Sequence, residues 1–139
     1  HGADAIVVSN HGGRQLDGAQ SSICALPAIV DAVGRQIEVH MDGGIRSGQD
    51  VLKARALGAR GTMIGRAFLY GLGAYGEQGV THVLEIIRKE LDLTMAFCGR
   101  TNIDKVDSSI LLPGTVVTAK DEIVDCILSK DLRIHCPPA

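Results

Sequence analysis

A histidine and an arginine lie three positions apart in the segment Ser9-Asn10-His11-Gly12-Gly13-Arg14-Gln15. Neutral imidazole acts as a base near pH 7, and a guanidinium group grips a carboxylate through two parallel hydrogen bonds, which a lysine cannot do. A base beside a fixed cation can hold a carboxylic acid and remove a proton next to the carboxylate. We therefore predict that His11 is a catalytic base in contact with substrate and that Arg14 binds a substrate carboxylate. A polar loop without a ligand is the alternative interpretation.

Two glycine-rich turns, each with an arginine, follow later in the chain. The first is Asp42-Gly43-Gly44-Ile45-Arg46 and the second is Gly65-Arg66. Glycines let main-chain N–H groups approach an anion, a helix N-terminus adds partial positive charge, and Arg46 supplies a forked cation. Two such turns in succession are typical of the phosphate site after the last strands of a β/α barrel. Two tight turns with solvated arginines are the alternative, and the glycine spacing is not that of a Rossmann fold.

Short apolar runs precede these polar segments and predict strands over 4–9, 37–41 and 61–64. A helix is expected over 23–33, with Pro27 in its first turn and Gly34 at its end. A second helix is expected to be capped by Ser47 and Asp50 and to stop at Gly58. Because strands and helices alternate, the pattern predicts a parallel sheet.

The remainder of the chain is less regular. Apolar residues at three- and four-residue steps predict a long helix from near Glu77 to Phe97, followed by Gly99. Its apolar stripe comprises Val80, Val83, Leu84, Ile87, Leu91 and Met95. A short helical turn over 102–106, an extended segment over 115–118 and a last helix over 121–129 are also expected.

Three strands cannot close a barrel, since a (β/α)8 barrel takes about 250 residues and this chain has 139. An open three-stranded sheet would leave two bare edges. We therefore predict an α/β fold that forms the C-terminal part of a TIM (β/α)8 barrel, namely its last three β/α units. The expected partners are the missing N-terminal half of the barrel or further copies of the chain.

Composition excludes several classes of function. A net charge of −2 and 3% aromatic residues argue against nucleic-acid binding. No apolar run approaches the roughly 20 residues of a membrane helix, and no secretion signal is visible. The four cysteines form no CxxC pair and lie near no histidine at metal spacing. We expect reduced thiols, no metal site and a cytoplasmic protein.

Together, the segment from Ser9 to Gly18, the turn from Asp42 to Arg46 and the pair Gly65-Arg66 resemble the FMN-dependent α-hydroxy-acid oxidase and dehydrogenase family. Its members include glycolate oxidase, lactate oxidase, flavin-type lactate dehydrogenases and mandelate dehydrogenase. The resemblance covers residues 1 to about 106. We accordingly divide the chain into a barrel portion, 1–106, and a C-terminal extension, 107–139, with a final helix.

The resemblance implies FMN-dependent oxidation of a small L-2-hydroxy acid to the 2-oxo acid. His11 would take a proton from the substrate, with hydride or carbanion transfer left open, and Arg14 would bind the substrate carboxylate. Ser9 would contact the flavin. The ribityl chain and phosphate would be held by Asp42, Gly43, Gly44, Ile45, Arg46, Gly65 and Arg66.

The family also uses a lysine, a carboxylate that pairs with the histidine, and tyrosines on earlier strands, and no matching positions exist here. The isolated chain is therefore expected to be incomplete and inactive. Two alternatives stay open. One is a non-catalytic half-barrel that binds a phosphorylated ligand. The other is a different phosphate-binding TIM-barrel protein, such as an isomerase or a relative of inosine-phosphate dehydrogenase.

Overall fold

A computed structural model of the chain describes residues 2–112. The strands are β1 (Ala5–Val8), β2 (Glu38–Met41) and β3 (Gly61–Thr62), and the helices are α1 (Ser22–Val33), α2 (Gly48–Ala56) and α3 (Arg66–Phe97). Three short 3₁₀ helices cover His11–Gly13, Ile103–Lys105 and Ser108–Ile110.

The three strands form one parallel sheet in the order β1-β2-β3, which confirms the predicted topology. Val8 pairs with Met41, and Met41 pairs with Thr62. The strands are shorter than predicted, and β3 has only two paired residues. Because the strands are parallel and in register, their carboxyl ends meet at one edge of the sheet.

The helices cover a single face of this sheet. The core there comprises Val8, Leu26, Val39, Met41, Ile45, Ala54 and Ala59. Side chains alternate between the faces of a strand, so residues between the core positions lie on the opposite face. Val7 and Met63 are 45% and 48% exposed. One sheet face, which carries these two apolar side chains, is therefore left uncovered.

Helix α1 differs from the prediction in two details. It begins at Ser22, so Pro27 is the sixth helical residue and lies inside the helix, not in its first turn. Proline at this position removes one main-chain donor and the hydrogen bond it would make to Ile23. Gly34 does end the helix, but with a φ of −63° rather than a left-handed one. A Cβ at Gly34 would lie 2.7 Å from the carbonyl oxygen of Val30.

The predicted cap of α2 is confirmed. The Oγ atom of Ser47 accepts from the N–H of Asp50, and the carboxylate of Asp50 accepts from the N–H of Ser47. Gly48 is buried against α3: a Cβ there would lie 2.5 Å from the carbonyl carbon of Glu90 and 2.6 Å from the carbonyl oxygen of Ile87. Only glycine permits this approach of the two helices.

Helix α3 begins at Arg66, eleven residues before the predicted start near Glu77. Non-helical angles at Tyr75 and Gly76 divide it into the pieces 66–74 and 77–97. A Cβ on Gly71 would lie 2.5 Å from the carbonyl oxygen of Gly79, so these buried glycines let the two pieces pack closely. Glycines interrupt the apolar pattern, which is why the sequence did not reveal the first piece.

The predicted stripe of α3 is only partly buried. Ile87 is 8% exposed, and Leu91 and Met95 pack against a second cluster formed by Leu52, Ala56 and Val106. Leu84, another member of the predicted stripe, is 51% exposed.

The predicted turn after α3 is confirmed as the 3₁₀ helix Ile103–Lys105, with the Asn102 side chain accepting from the N–H of Asp104. Ile110 and Leu111 pack against the second cluster. The division of the chain at residue 106 stays a prediction, and the segments expected over 115–118 and 121–129 lie outside the described residues.

Cys24 and Cys98 are free thiols. The other two cysteines lie outside the described residues. Within residues 2–112, no helix has the length and apolar character needed to cross a bilayer. The same residues contain no group of three or more side chains suited to holding a metal ion.

Candidate active site at the carboxyl ends of the strands

Hydrogen bonds between strand ends align the three polar loops. The N–H of Asp42 donates to the carbonyl oxygen of Val8 over 3.1 Å, and the N–H of Met63 donates to that of Met41 over 2.9 Å. The loops that follow the strands therefore begin side by side. We call residues 9–14, 42–46 and 65–66 the rim. All of the predicted site residues lie on it.

The first rim loop holds His11 in an unusual conformation. Its φ is 54°, the only positive value at a non-glycine position among residues 2–112. Such a backbone costs about 1–3 kcal/mol and persists only where the surroundings enforce it. The N–H of His11 donates to the Oγ atom of Ser9 over 3.1 Å, and the N–H of Gly13 donates to the carbonyl oxygen of Asn10 over 3.0 Å. The His11 residue itself is exposed.

Asn10 ties this loop to the start of α1. Its N–H donates to the Oγ atom of Ser22 over 3.2 Å, and its Nδ2 atom donates to the carbonyl oxygen of Gln20 over 3.3 Å. Ser22 is 4% exposed. The sequence reasoning missed it, because a serine beside the first turn of a helix is typical of a simple cap.

The first and second rim loops lie side by side. A Cβ on Gly43 would lie 3.0 Å from the Oγ atom of Ser22 and 3.4 Å from the Oδ1 atom of Asn10. Asn10 directly precedes His11, and Gly43 directly follows Asp42. The loop that carries the predicted base therefore lies beside the loop that carries Asp42.

Asp42 carries an unsatisfied acceptor. Its Oδ1 atom is buried and has no hydrogen-bond partner within the described part of the chain. A buried polar atom without a partner costs about 1–3 kcal/mol, and such atoms are rare in folded proteins. A ligand hydroxyl that donates to this atom would remove the cost.

Glycines keep the main chain of the rim open. Gly43 and Gly44 have φ values of 85° and 80°, which side-chain-bearing residues rarely adopt. A Cβ on Gly44 or Gly65 would meet no atom within 4 Å. The side chain of Ile45, in contrast, is 5% exposed and belongs to the core, so only its main chain is available to a ligand.

The two helix N-termini at the rim differ in whether protein side chains already bind their first N–H groups. At α2, Asp50 accepts from the N–H of Arg46 and of Ser47, each over 3.0 Å, and Glu90 of α3 accepts from the N–H of Gly48 over 2.9 Å. Protein carboxylates already occupy that helix end. At α3, the cap residue Gly65 offers no side chain, so the first N–H groups remain available to an anion.

Three cations are available at the rim. Arg14, Arg46 and Arg66 are exposed. Among the hydrogen bonds and ion pairs formed within residues 2–112, none involves their guanidinium groups. Arg55 and Arg60 instead bind Asp104 over 3.0 and 2.9 Å. The rim arginines are thus free to bind anionic groups of a ligand.

The profile of the family described as FMN-dependent dehydrogenase matches residues 1–113 of this chain. An L-lactate dehydrogenase from Caulobacter vibrioides (strain NA1000 / CB15N) is 56% identical over 110 residues, which make up 79% of this chain and 29% of that protein. The 2-hydroxyacid oxidase 1 of Mus musculus is 48% identical over 120 residues, which make up 86% and 32%. The chain spans about a third of the length of these relatives.

Solved structures agree with this match. A soluble mutant of the membrane-associated (S)-mandelate dehydrogenase from Pseudomonas putida superposes with a TM-score of 0.75 at 44% identity, over 78% of this chain and 31% of that one. A mandelate oxidase mutant with a monooxide FMN adduct gives 0.71 at 51% identity, over 73% and 32%. The predicted fold, a part of a TIM (β/α)8 barrel, is confirmed.

Proposed function

Since this chain belongs to the FMN-dependent dehydrogenase family, we propose that it serves the FMN-dependent oxidation of a small L-2-hydroxy acid to the 2-oxo acid. It contributes the catalytic base, the cation for the substrate carboxylate and the phosphate site of the cofactor. The observation that carries this proposal is the closeness of Asn10 to Gly43, since a Cβ on Gly43 would lie 3.4 Å from the Oδ1 atom of Asn10. The loop of His11 therefore lies beside the loop of Asp42.

The rim fits FMN. The partnerless Oδ1 atom of Asp42 suits a ribityl hydroxyl, and the open main chain at Gly44 and Gly65 suits a close approach by the cofactor. The cofactor-binding set is Ser9, Asp42, Gly43, Gly44, Ile45 through its main chain, Arg46, Gly65 and Arg66.

The uncapped N-terminus of α3, with Arg66 as its first residue, is the place for the phosphate. The N-terminus of α2 is not, because Asp50 and Glu90 occupy its N–H groups and would repel an anion.

The reaction needs a proton acceptor, an anchor for the acid and an electron acceptor. Bound FMN supplies the last by taking up the two electrons that leave the substrate. Neutral His11 accepts a proton from the 2-hydroxy acid, and Arg14 binds the carboxylate in bidentate fashion and so fixes the position of C2. Because both residues belong to the same short loop, its rigidity sets the distance between the proton acceptor and the anchored acid.

We propose further that the rest of a barrel completes this site. The uncovered sheet face exposes the apolar side chains of Val7 and Met63, and both sheet edges lack a partner strand among the described residues. A missing N-terminal half, or additional copies of the chain, would cover this surface. Size-exclusion chromatography should show that the chain alone associates, whereas a well-folded monomer would contradict the proposal.

A non-catalytic half-barrel that binds a phosphorylated ligand is the second candidate. It is favoured by one contrast: the phosphate features lie within this chain, whereas the chain spans only about a third of its relatives. A cytoplasmic location remains a prediction. One similar protein, (S)-mandelate dehydrogenase, is described as a monotopic membrane protein, so fractionation of source cells is the appropriate check.

The proposal is tested with the purified full chain, FMN and riboflavin. Quenching of flavin fluorescence should reveal FMN binding, with an affinity at least about tenfold above that of riboflavin, because riboflavin lacks the phosphate. Addition of lactate, glycolate or mandelate without oxygen should leave the flavin absorbance unchanged, since the substrate site is incomplete. Equal affinity for the two flavins would overturn the phosphate assignment, and clear bleaching would overturn the predicted inactivity of the isolated chain.

A further inference from the structure

We propose that Ser22 is a positioning residue for His11, a role that rests on the function proposed above. Its hydroxyl group bonds to the loop that carries the base and lies beside the loop that carries the cofactor-binding aspartate. Ser22 has no direct part in the chemistry. It acts through Asn10 on one side and through Gly43 on the other.

The burial of Ser22 is the first argument. Among residues 2–112 it is the most buried polar residue, with 4% of its surface exposed. Burying a hydroxyl group is unfavourable unless it forms hydrogen bonds. The Oγ atom of Ser22 accepts the N–H of Asn10 over 3.2 Å, across twelve positions of the chain. This bond connects the residue before His11 directly to the core-facing side of α1.

The strained backbone of His11 is the second argument. A φ of 54° at a non-glycine residue persists only if neighbouring contacts prevent relaxation. Two bonds do so here: Asn10 is fixed to Ser22, and the N–H of His11 is fixed to the Oγ atom of Ser9. Without the Ser22 hydroxyl, the loop can rotate at Asn10 and displace His11.

The contact with Gly43 is the third argument. The space of a Cβ at Gly43 is bounded by the Oγ atom of Ser22 at 3.0 Å and its Cβ atom at 3.8 Å. The Ser22 side chain thus lies beside the second rim loop and is bonded to the first. Since Asp42 directly precedes Gly43 and Asn10 directly precedes His11, a shift of the Ser22 side chain would move the two loops relative to each other.

A role in capping α1 does not account for Ser22. The N-cap residue of α1 is Ser21, whose side chain makes no cap hydrogen bond. The Ser22 hydroxyl bonds to the loop before the helix instead. Ser21 therefore serves as a matched control, a neighbouring serine whose hydroxyl is not used to cap the helix.

The test compares Ser22→Ala, Ser22→Thr and Ser21→Ala in the full chain. FMN affinity is measured by fluorescence quenching, and the His11 ring signals are followed by NMR after assignment with His11→Gln. Ser22→Ala should weaken FMN binding about five- to tenfold, the effect of one lost hydrogen bond, and shift the His11 signals. Ser22→Thr retains the hydroxyl and should restore both. Ser21→Ala should change neither.

Equal effects of Ser22→Ala and Ser21→Ala would overturn the inference, and so would a failure of Ser22→Thr to restore the His11 signals. If the unaltered chain does not bind FMN, the proposed function fails, but the NMR comparison still decides the role of Ser22.

If Ser22→Ala does not fold, hydrogen exchange in the unaltered chain tests whether the bond between Asn10 and Ser22 forms. The amide of Asn10 should exchange at least about tenfold more slowly than that of Gly12, which makes no main-chain hydrogen bond within residues 2–112. Equal exchange rates would mean that the Asn10–Ser22 bond does not form.

Discussion

The N–H of Asp42 donates to the carbonyl oxygen of Val8 over 3.1 Å, one residue beyond the last paired residues of β1 and β2. This bond extends the strand pairing to the place where the chains turn into loops. It holds Asp42, whose buried Oδ1 atom has no partner among the described residues, beside the end of β1, where the loop that carries His11 begins. The paired strands therefore fix the positions at which the site loops begin.

Arg66→Ala should weaken FMN binding at least about tenfold, because a charge-assisted contact with phosphate contributes roughly 1.5–3 kcal/mol. Riboflavin binding should be unchanged. Arg35→Ala is the matched control, since Arg35 is exposed and precedes β2 at the opposite end of the sheet. Fluorescence titration measures all three proteins. An equal loss of affinity with Arg35→Ala would show that Arg66 acts only through general charge.

Asp42→Ala should separate stability from binding. Removing the partnerless Oδ1 atom should raise the free energy of unfolding of the FMN-free chain by about 1 kcal/mol. The folded state then no longer bears the cost of burying an oxygen atom without a hydrogen bond. The rise in melting temperature caused by FMN should shrink. Urea unfolding with and without FMN measures both effects, and exposed Asp31→Ala is the control. Lower stability of the FMN-free Asp42→Ala chain would contradict this account.

Gly48→Ala should destabilise the chain by about 2 kcal/mol, because the added Cβ meets the main chain of α3 and forces the helices apart. Gly73→Ala is the matched control within a helix. A Cβ there meets nothing within 4 Å, so it should stabilise the chain by about 0.5–1 kcal/mol. In chemical denaturation, the free energy of unfolding should fall in Gly48→Ala and rise in Gly73→Ala. A change in the same direction in both variants would refute the close packing of α2 on α3.

Asp107 should titrate below its ordinary pKa. The Oγ–H and N–H groups of Ser109 donate to its carboxylate, and Arg100 lies nearby, so the charged form is favoured. The resulting stabilisation is present above the ordinary pKa and is lost as the pH falls through the lowered one. Ser109→Ala should raise the pKa measured by NMR titration, whereas Ser108→Ala should not. An unchanged pKa in Ser109→Ala would exclude the stated cause.

Features that follow from local pattern were predictable. The capping pair Ser47 and Asp50, three residues apart, specified the start of α2, and the apolar β-branched runs specified a parallel sheet. The start of α3 was not predictable, since Gly71 and Gly79 serve a close approach between two helical pieces. Such a contact depends on tertiary packing, which leaves no periodic signal in the sequence.

The site shows the same division. The motifs around His11, Asp42 and Arg66 were visible as residue types at strand ends. The link through Ser22 was not, because it joins residues twelve positions apart through one hydroxyl group. Likewise, the occupation of the α2 N-terminus by Glu90 depends on a contact across 42 positions. Contacts of this kind join residues that are distant in the sequence, so local patterns do not predict them.

The most direct test of the central claim is an amide NMR titration of the full chain with FMN. The account predicts that the signals of 9–14, 42–46 and 65–66 shift together and saturate with a single dissociation constant. Riboflavin should shift the first two segments more than the third, since it lacks the phosphate. Shifts confined to one segment, or located at the amino ends of the strands, would contradict a shared flavin site at the rim.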